Sequence, residues 1–473
     1  MAKSPTKKAG KGFEETLWDT ANQLRGSVES SEYKHVVLSL VFLKFISDKF
    51  EAKRKQLIDN GQEAFVDMDV FYQQDNVFFL PPDARWSYVK ARAKQDDIAV
   101  IIDTALSTIE KRNASLTGAL PDNYFSRQGL EVKRLASLID SIENIDTLAN
   151  ECELTEEDLV GRVYEYFLGK FAASEGKGGG EFYTPKAVVT LLAEMLEPYQ
   201  GKIYDPCCGS GGMFVQSLKF VESHQGKSKD IAIYGQELTS TTYKLAKMNL
   251  AVRGLSGNLG ERPADTFFAD QHPDLKADFI MANPPFNWKG LKIDQLKDDV
   301  RWKYGTPPGG NANFAWIQHM IYHLAPKGKI GLVLANGALS SQTSGEGEIR
   351  KNIIEADLIE GIVALPTQLF YSVTIPVTLW FISKDKKQKG KTIFIDARKM
   401  GHMVDRTHRD FTEEDINKIA KTFDDFQNGI DVDEKGYCAV CSIEDIKNQD
   451  YILTPGRYVG IEEQEDDGEP FEE

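Results

Sequence analysis

The chain lacks a long apolar run. The longest near the N-terminus, VVLSLVFL (Val36–Leu43), is eight residues and ends at Lys44, where about twenty are needed to cross a bilayer. No secretory pattern is present, since MAKSPTKKAGKG leads into Phe13 and Glu14 rather than an apolar core. Cysteine is scarce and odd in number, with Cys152, Cys207, Cys208, Cys438 and Cys441. That favours a reducing, cytoplasmic setting over a disulfide framework. An excess of positive charge is also missing. The net charge is −16, and the tail Ile461–Glu473 holds eight acids and no bases, so the remainder still carries −16 + 8 = −8. A self-sufficient nucleic-acid binder shows a basic footprint. If this chain acts on nucleic acid, a partner does most of the gripping. No repeat of fixed period occurs either.

What is present is a change of rhythm. The length, 473 residues, exceeds what one hydrophobic core supports, so two or three domains are expected. Early in the chain Phe13, Leu17, Leu24 and Val28, then Tyr33, Val36, Val37, Leu40, Leu43, Ile46 and Phe50, recur at helical spacing. This predicts a helical domain over 1–155, serving as a cap or docking surface. A further helix is expected at about 156–171, followed by the glycine-rich EGKGGG (Glu175–Gly180), a linker at minimum. Strand-like runs then alternate with helices across a second domain, 156–400: 202–205, 231–235, 278–282, 329–335, 359–365, 377–382 and 392–396. Phe314, Ile317, Ile321 and Leu324 mark one amphipathic helix between them. Such alternation implies a mainly parallel sheet covered on both faces, an α/β fold. The closeness of the last two strands predicts an antiparallel hairpin at one edge. Residues 401–473 read as a helical C-terminal region with an acidic tail.

Ligands in such sheets bind at the carboxyl ends of the strands. IYDPCCGSGGMFV (Ile203–Val215) is a strand, an acid, a glycine turn and a helix start, where the backbone can approach a ligand closely. GSGGMF completes only half of a dinucleotide fingerprint, and GKS (Gly226–Ser228) has Val221 where a P-loop needs glycine. A cofactor without phosphates, bearing a sulfonium and an amino acid, needs an acid here, and Asp205 supplies one. The next strand ends in GQEL (Gly235–Leu238), placing Glu237 where a ribose diol is held. Two acids at adjacent strand ends, with the glycine turn between them, outweigh their bland readings as helix caps or surface charge. ANPPFNWKG (Ala282–Gly290) closes a later strand. Its prolines restrict the backbone and fix where the Asn283 amide points. The Asn283 side-chain oxygen and the Pro284 carbonyl can accept both N–H donors of an exocyclic amine, and Phe286 can stack on the base. Positioning and electrostatics then suffice, with no metal and no covalent nucleophile.

DPCCGSGG, GQE, ADT (Ala264–Thr266) and NPPF, in this order, resemble an S-adenosylmethionine-dependent adenine-amino DNA methyltransferase. More narrowly, EYKHVVLSLVFLKFISDKF, GEFYTPKAVV (Gly180–Val189) and LFYSVTIPVTLWFISK (Leu369–Lys384) resemble the modification subunit of type I restriction-modification systems. The resemblance reaches to about Gly401. It implies a Rossmann-like methyltransferase sheet behind a helical N-terminal domain, and S-adenosyl-L-methionine as cofactor. It implies that Glu181, Phe182, Tyr183, Thr184, Pro185 and Lys186 close on the methionine part of the cofactor. Asp205, Gly209, Ser210 and Gly211 match the glycine turn, Glu237 the ribose acid, and Asp265 the acid beside the cofactor adenine. Asn283, Pro284, Pro285 and Phe286 match the catalytic motif, and Phe370 or Tyr371 the second face of the base sandwich. The implied partners are a specificity subunit that reads the target, a restriction subunit in the full complex, and double-stranded DNA with a flipped adenine.

Other signals are set aside. Cys207 lies in the cofactor turn, so the nucleophile of cytosine carbon-5 methyltransferases is rejected. CAVC (Cys438–Cys441) has zinc-ligand spacing but no second pair downstream. Two other readings remain beside adenine methylation. One is the same chemistry on a protein glutamine or an RNA guanine, since such enzymes share N-P-P. The other is a non-catalytic structural subunit, which predicts degraded motifs where these are intact.

Overall fold

In a computed structural model the described residues are 18, 19, 22, 30–75, 77–144, 184–224, 226, 227, 230–370, 376–404, 406 and 408–460. The predicted helix at about 156–171, EGKGGG, Glu181, Phe182, Tyr183, Tyr371 and the acidic tail lie outside them. Two compact units divide the chain, one formed by 1–179 with 239–256 and the other by 180–238 with 257–473.

The first unit is helical. Helix α1 (Ser30–Asp59) is buried all round from His35 to Leu43, so VVLSLVFL is the centre of a bundle rather than one stripe of an amphipathic surface helix. Around it pack α2 (Ile98–Arg112) and α3 (Val132–Glu143). Asp103 on α2 accepts hydrogen bonds from the backbone N–H groups of Phe125 and Ser126, each 2.9 Å, so a short helical turn starts on a carboxylate.

The second unit is built on a nine-stranded sheet. Helix α4 (Lys186–Leu196) leads into strand β1 (Gly201–Asp205), and α5 (Gly212–Ser223) into β2 (Ile231–Gly235). The helix after β2, α6 (Ser240–Val252), belongs to the helical unit, where Leu245 and Met248 are buried and Lys244 Nζ donates to the Leu120 carbonyl at 2.9 Å. Then come β3 (Gly257–Asn258), β4 (Ala277–Ala282), α7 (Asn313–His323), β5 (Leu324–Ala335) and α8 (Glu346–Glu355). Strands β6 (Ile359–Ala364), β7 (Val377–Ser383) and β8 (Lys391–Asp396) follow, with the small ribbon β9 (His402–Met403) and β10 (Arg409–Asp410). Helix α9 (Glu413–Gln427) and strand β11 (Cys438–Ser442) follow, with a short helix, Ile443–Lys447, after them. The strand order is β11-β8-β6-β7-β5-β4-β1-β2-β3. All neighbours run parallel except β7, antiparallel to both β5 and β6, and β11, antiparallel to β8.

The hairpin predicted from β7 and β8 does not form. β7 fills the slot between β5 and β6, and β8 passes beyond it to pair in parallel with β6. All seven residues of β7 are buried, and apart from Thr378 VTLWFI carries apolar side chains toward both faces, as a central strand does. The helix at 313–323 differs from expectation too. It is buried on nearly every side, and the preceding segment lies against it, with Tyr304 N–H donating to Gln318 Oε1 at 2.8 Å and Arg301 Nη1 to His319 Nδ1 at 3.1 Å. Past Met400 the chain joins the sheet through β11, and α9 packs on α4 with Ile419 and Phe423 buried. Alternation divides the core into two layers. Ile330, Leu332 and Leu334 of β5 face α7 and α8, while Val333 faces α4. Among the described residues no helix is long and apolar enough to cross a membrane.

Candidate active site

Because β1 pairs with β2 on one side and β4 on the other, the ends of these three strands lie side by side. Asp205 closes β1 at 2% exposure. One carboxylate oxygen accepts from the Cys207 N–H at 3.0 Å. Burial nevertheless pushes its pKa up to about 7, with the Glu237 charge adding to the rise. The glycine turn follows, with Gly209 at φ 52° and Gly211 at φ 81° as N-cap of α5, conformations that favour glycine. A Cβ at Gly209 or Gly212 would meet nothing within 4 Å. Among the described residues, the turn therefore opens into free space at these two positions. Glu237 crosses from β2 to accept from the Gly209 N–H at 3.1 Å.

Gln236, fully buried beside it, brackets the third segment. Its Nε2 donates to the carbonyls of Ala264 (3.1 Å) and Ala269 (2.9 Å), and its Oε1 accepts from Gln271 N–H at 3.0 Å. Asp265 sits in the segment so held. One of its oxygens accepts from Phe267 N–H at 2.8 Å, an Asx turn. Thr266 donates to the Pro206 carbonyl at 2.6 Å, tying this turn to the glycine turn. The sequence reading passed over Gln236 and Thr266, although a polar residue between Gly235 and Glu237 at a strand end was a signal. It also passed over Leu238 and Phe268, apolar side chains 59% and 40% exposed beside the two acids.

Asn283 follows β4. Its Nδ2 donates to Thr184 Oγ1 at 2.9 Å, while its Oδ1 is buried without a partner among the described residues. Pro284 is buried, and Pro285 and Phe286 are half-buried. The next residue, Asn287, is held at φ 53° by a reciprocal amide pair. Asn287 N–H donates to Asn313 Oδ1 (3.0 Å), and Asn313 Nδ2 donates to Asn287 Oδ1 (2.9 Å). Phe370, only 5% exposed, meets Phe286 edge-on with ring centroids 6.3 Å apart at 68°. That contact braces Phe286 rather than opening a parallel gap. Pro185 is the N-cap of α4, and Lys186, its first residue, is exposed.

Asp270, His319 and His323 approach closely enough to hold a cation, yet their nitrogens are engaged. Arg301 Nη1 donates to His319 Nδ1 (3.1 Å), leaving Nε2–H for the Tyr204 hydroxyl (3.0 Å). His323 donates to the Leu275 carbonyl (3.0 Å) and to Asp270 (2.8 Å). Burial opposes the charge of Asp270, but the His323 hydrogen bond prevails and brings its pKa to about 2. The network is a brace: Arg301 also donates to the carbonyls of Thr266 (3.2 Å) and Phe267 (2.6 Å), fixing the Asp265 turn from behind. Cys438 and Cys441 lie three residues apart on β11, so they point to opposite faces.

Residues 155–467 match the family model described as N-6 DNA Methylase, and 13–142 match the HsdM N-terminal domain. The chain belongs to the N-6 DNA methylase family. It is 50% identical over 413 residues to the type I restriction enzyme HindI methylase subunit of Haemophilus influenzae, covering 83% of this chain and 93% of that one. To the MjaIX methylase subunit of Methanocaldococcus jannaschii it is 40% identical over 485 residues, covering 97% and 86%. Its fold matches a type I methyltransferase subunit from Streptococcus thermophilus with TM-score 0.79 at 24% identity, covering 94% and 99%. The resemblance drawn from the motifs therefore holds. The chain is a DNA adenine methyltransferase of the type I restriction-modification class, on the fold of S-adenosylmethionine-dependent methyltransferases. In this methylase the motif residues Asp205, Gly209, Glu237 and Asp265 are joined through short hydrogen-bonded links, with Asn283 one strand away.

Proposed function

We propose that the methylase binds S-adenosyl-L-methionine over β1 and β2 and presents the N6 amine of a flipped adenine to it from β4. The observation that carries this is the buried Asn283 Oδ1 with no partner. A buried acceptor left open costs about 1–3 kcal/mol, so its persistence at a strand end beside an open glycine turn fits a site built for an incoming donor. The residues suit the cofactor. Gly209 and Gly212 leave room for it, Asp205 offers a buried carboxylate to its cationic part, Glu237 serves the ribose, and Asp265 the cofactor's adenine. The segment Glu181–Lys186 closes on the methionine end. When bound, S-adenosylmethionine supplies an electrophilic methyl group.

The chain's own residues do the rest. Asn283 Oδ1 and the Pro284 carbonyl each hold one amine proton, drawing the nitrogen toward tetrahedral geometry and its lone pair toward the methyl group. Phe286 stacks on the base, with Phe370 edge-on against it. Target choice belongs to a specificity subunit and cleavage to a restriction subunit, in keeping with relatives named as subunits of restriction enzymes. The complex works in the cytoplasm on double-stranded DNA. Asn283→Ala tests the assignment. Methylation should fall by about 100- to 1,000-fold, the scale of losing a key transition-state contact, while cofactor binding and complex assembly stay near wild type. Retained activity would refute the role given to Asn283.

A further inference from the structure

The side-chain amide of Asn283 can rotate by 180° with little change of shape and a complete change of chemistry. With Oδ1 toward the target it accepts from an amine. With Nδ2 there, donor faces donor and the amine finds no partner. A hydroxyl can accept from the nitrogen or donate to the oxygen, so a partner hydroxyl fixes one edge of the amide, and a donor amine at the other edge selects the oxygen. In the structure Thr184 Oγ1 accepts from Nδ2 at 2.9 Å, and Oδ1 is buried with no partner among the described residues.

We propose that Thr184 is a positioning residue for methyl transfer, tethering one edge of the Asn283 amide so that the other edge is held toward the amine. This rests on the role given to Asn283 above. The hydroxyl is itself held in place. Pro185 follows at once as N-cap of α4, and its carbonyl accepts from Val188 N–H (3.0 Å) and Val189 N–H (3.1 Å). Val188, Leu191 and Leu192 then anchor that helix in the core. Thr184 thus stands on a fixed post, 99 residues before the amide it orients.

The test compares Thr184→Val, which keeps the shape and loses the acceptor, with Thr184→Ser, which keeps the acceptor, in the methylase assembled with its specificity partner. Thr184→Val should lose about 10- to 100-fold in kcat, the worth of one hydrogen bond that matters in the transition state. Its KM for DNA should stay within about threefold of wild type, and any weakening of cofactor Kd, measured by calorimetry, should be smaller than the loss in kcat. Thr184→Ser should recover to within about threefold of wild type on the same reasoning. Thr184→Ala against Thr184→Ser gives the same comparison if the valine variant fails to assemble. Equal turnover in the variants with and without the hydroxyl, or a loss confined to cofactor affinity, would overturn the proposal. If Asn283→Ala is inactive and Thr184→Val turns over like wild type, only the role of Thr184 falls. If Asn283→Ala is active, the reading beneath it falls as well.

Discussion

Asp205 is the acid of the site whose charge changes within the working range. Burial holds its folded pKa at about 7, against about 3.9 for an unperturbed aspartate. A raised carboxylate pKa favours the protonated folded state, so that contribution to stability is full below about pH 4 and is lost as pH rises through about 7. Binding of a cationic cofactor works the other way, since it favours the carboxylate. Cofactor affinity should therefore rise with pH, falling about tenfold per unit well below pH 7 and levelling above it, with proton release on binding. Calorimetry across pH 5.5–8.5 (about three units, spanning the pKa) reads both. In Asp205→Asn the slope should vanish; an unchanged slope would show that another group titrates. At this scale the sequence was legible where acids and glycines sit in a short motif. The Thr184–Asn283 bond was not, because partners 99 residues apart leave no spacing to read.

At the scale of elements, most strands could be read because each is a short apolar run between helices. Their order could not. β7 and β8 are neighbours in sequence, and only the packing of both faces of β7 reveals that it lies between β5 and β6. The bracing of the catalytic loop was equally hidden. Asp270, Arg301, His319 and His323 share no motif, yet they form one buried network behind the Asp265 turn. Asn313, only 1% exposed at the start of α7, holds Asn287 directly after Phe286. Asn313→Ala removes both amide bonds and should cost about 1–3 kcal/mol of stability in denaturant unfolding. It should also lower kcat with little change in cofactor Kd. A variant with normal stability and turnover would show that the loop holds its shape without this pair.

For the whole molecule, charge and division of labour agree. A chain at −16 gains little from phosphate contacts, and its methylase relatives carry the names of restriction-enzyme subunits. On the proposed reading, a sheet whose glycine turn takes the cofactor and whose Asn283 oxygen has no partner among the described residues methylates a base delivered to it, with DNA held by others. The most direct test is transfer of a labelled methyl group from S-adenosylmethionine to DNA, RNA and protein, by the chain alone and with its specificity subunit. The expected result is label at N6 of adenine in DNA only when the specificity subunit is present, and none from the Asn283→Ala complex. Efficient, site-specific DNA methylation by the isolated chain, or label confined to RNA or protein, would contradict it.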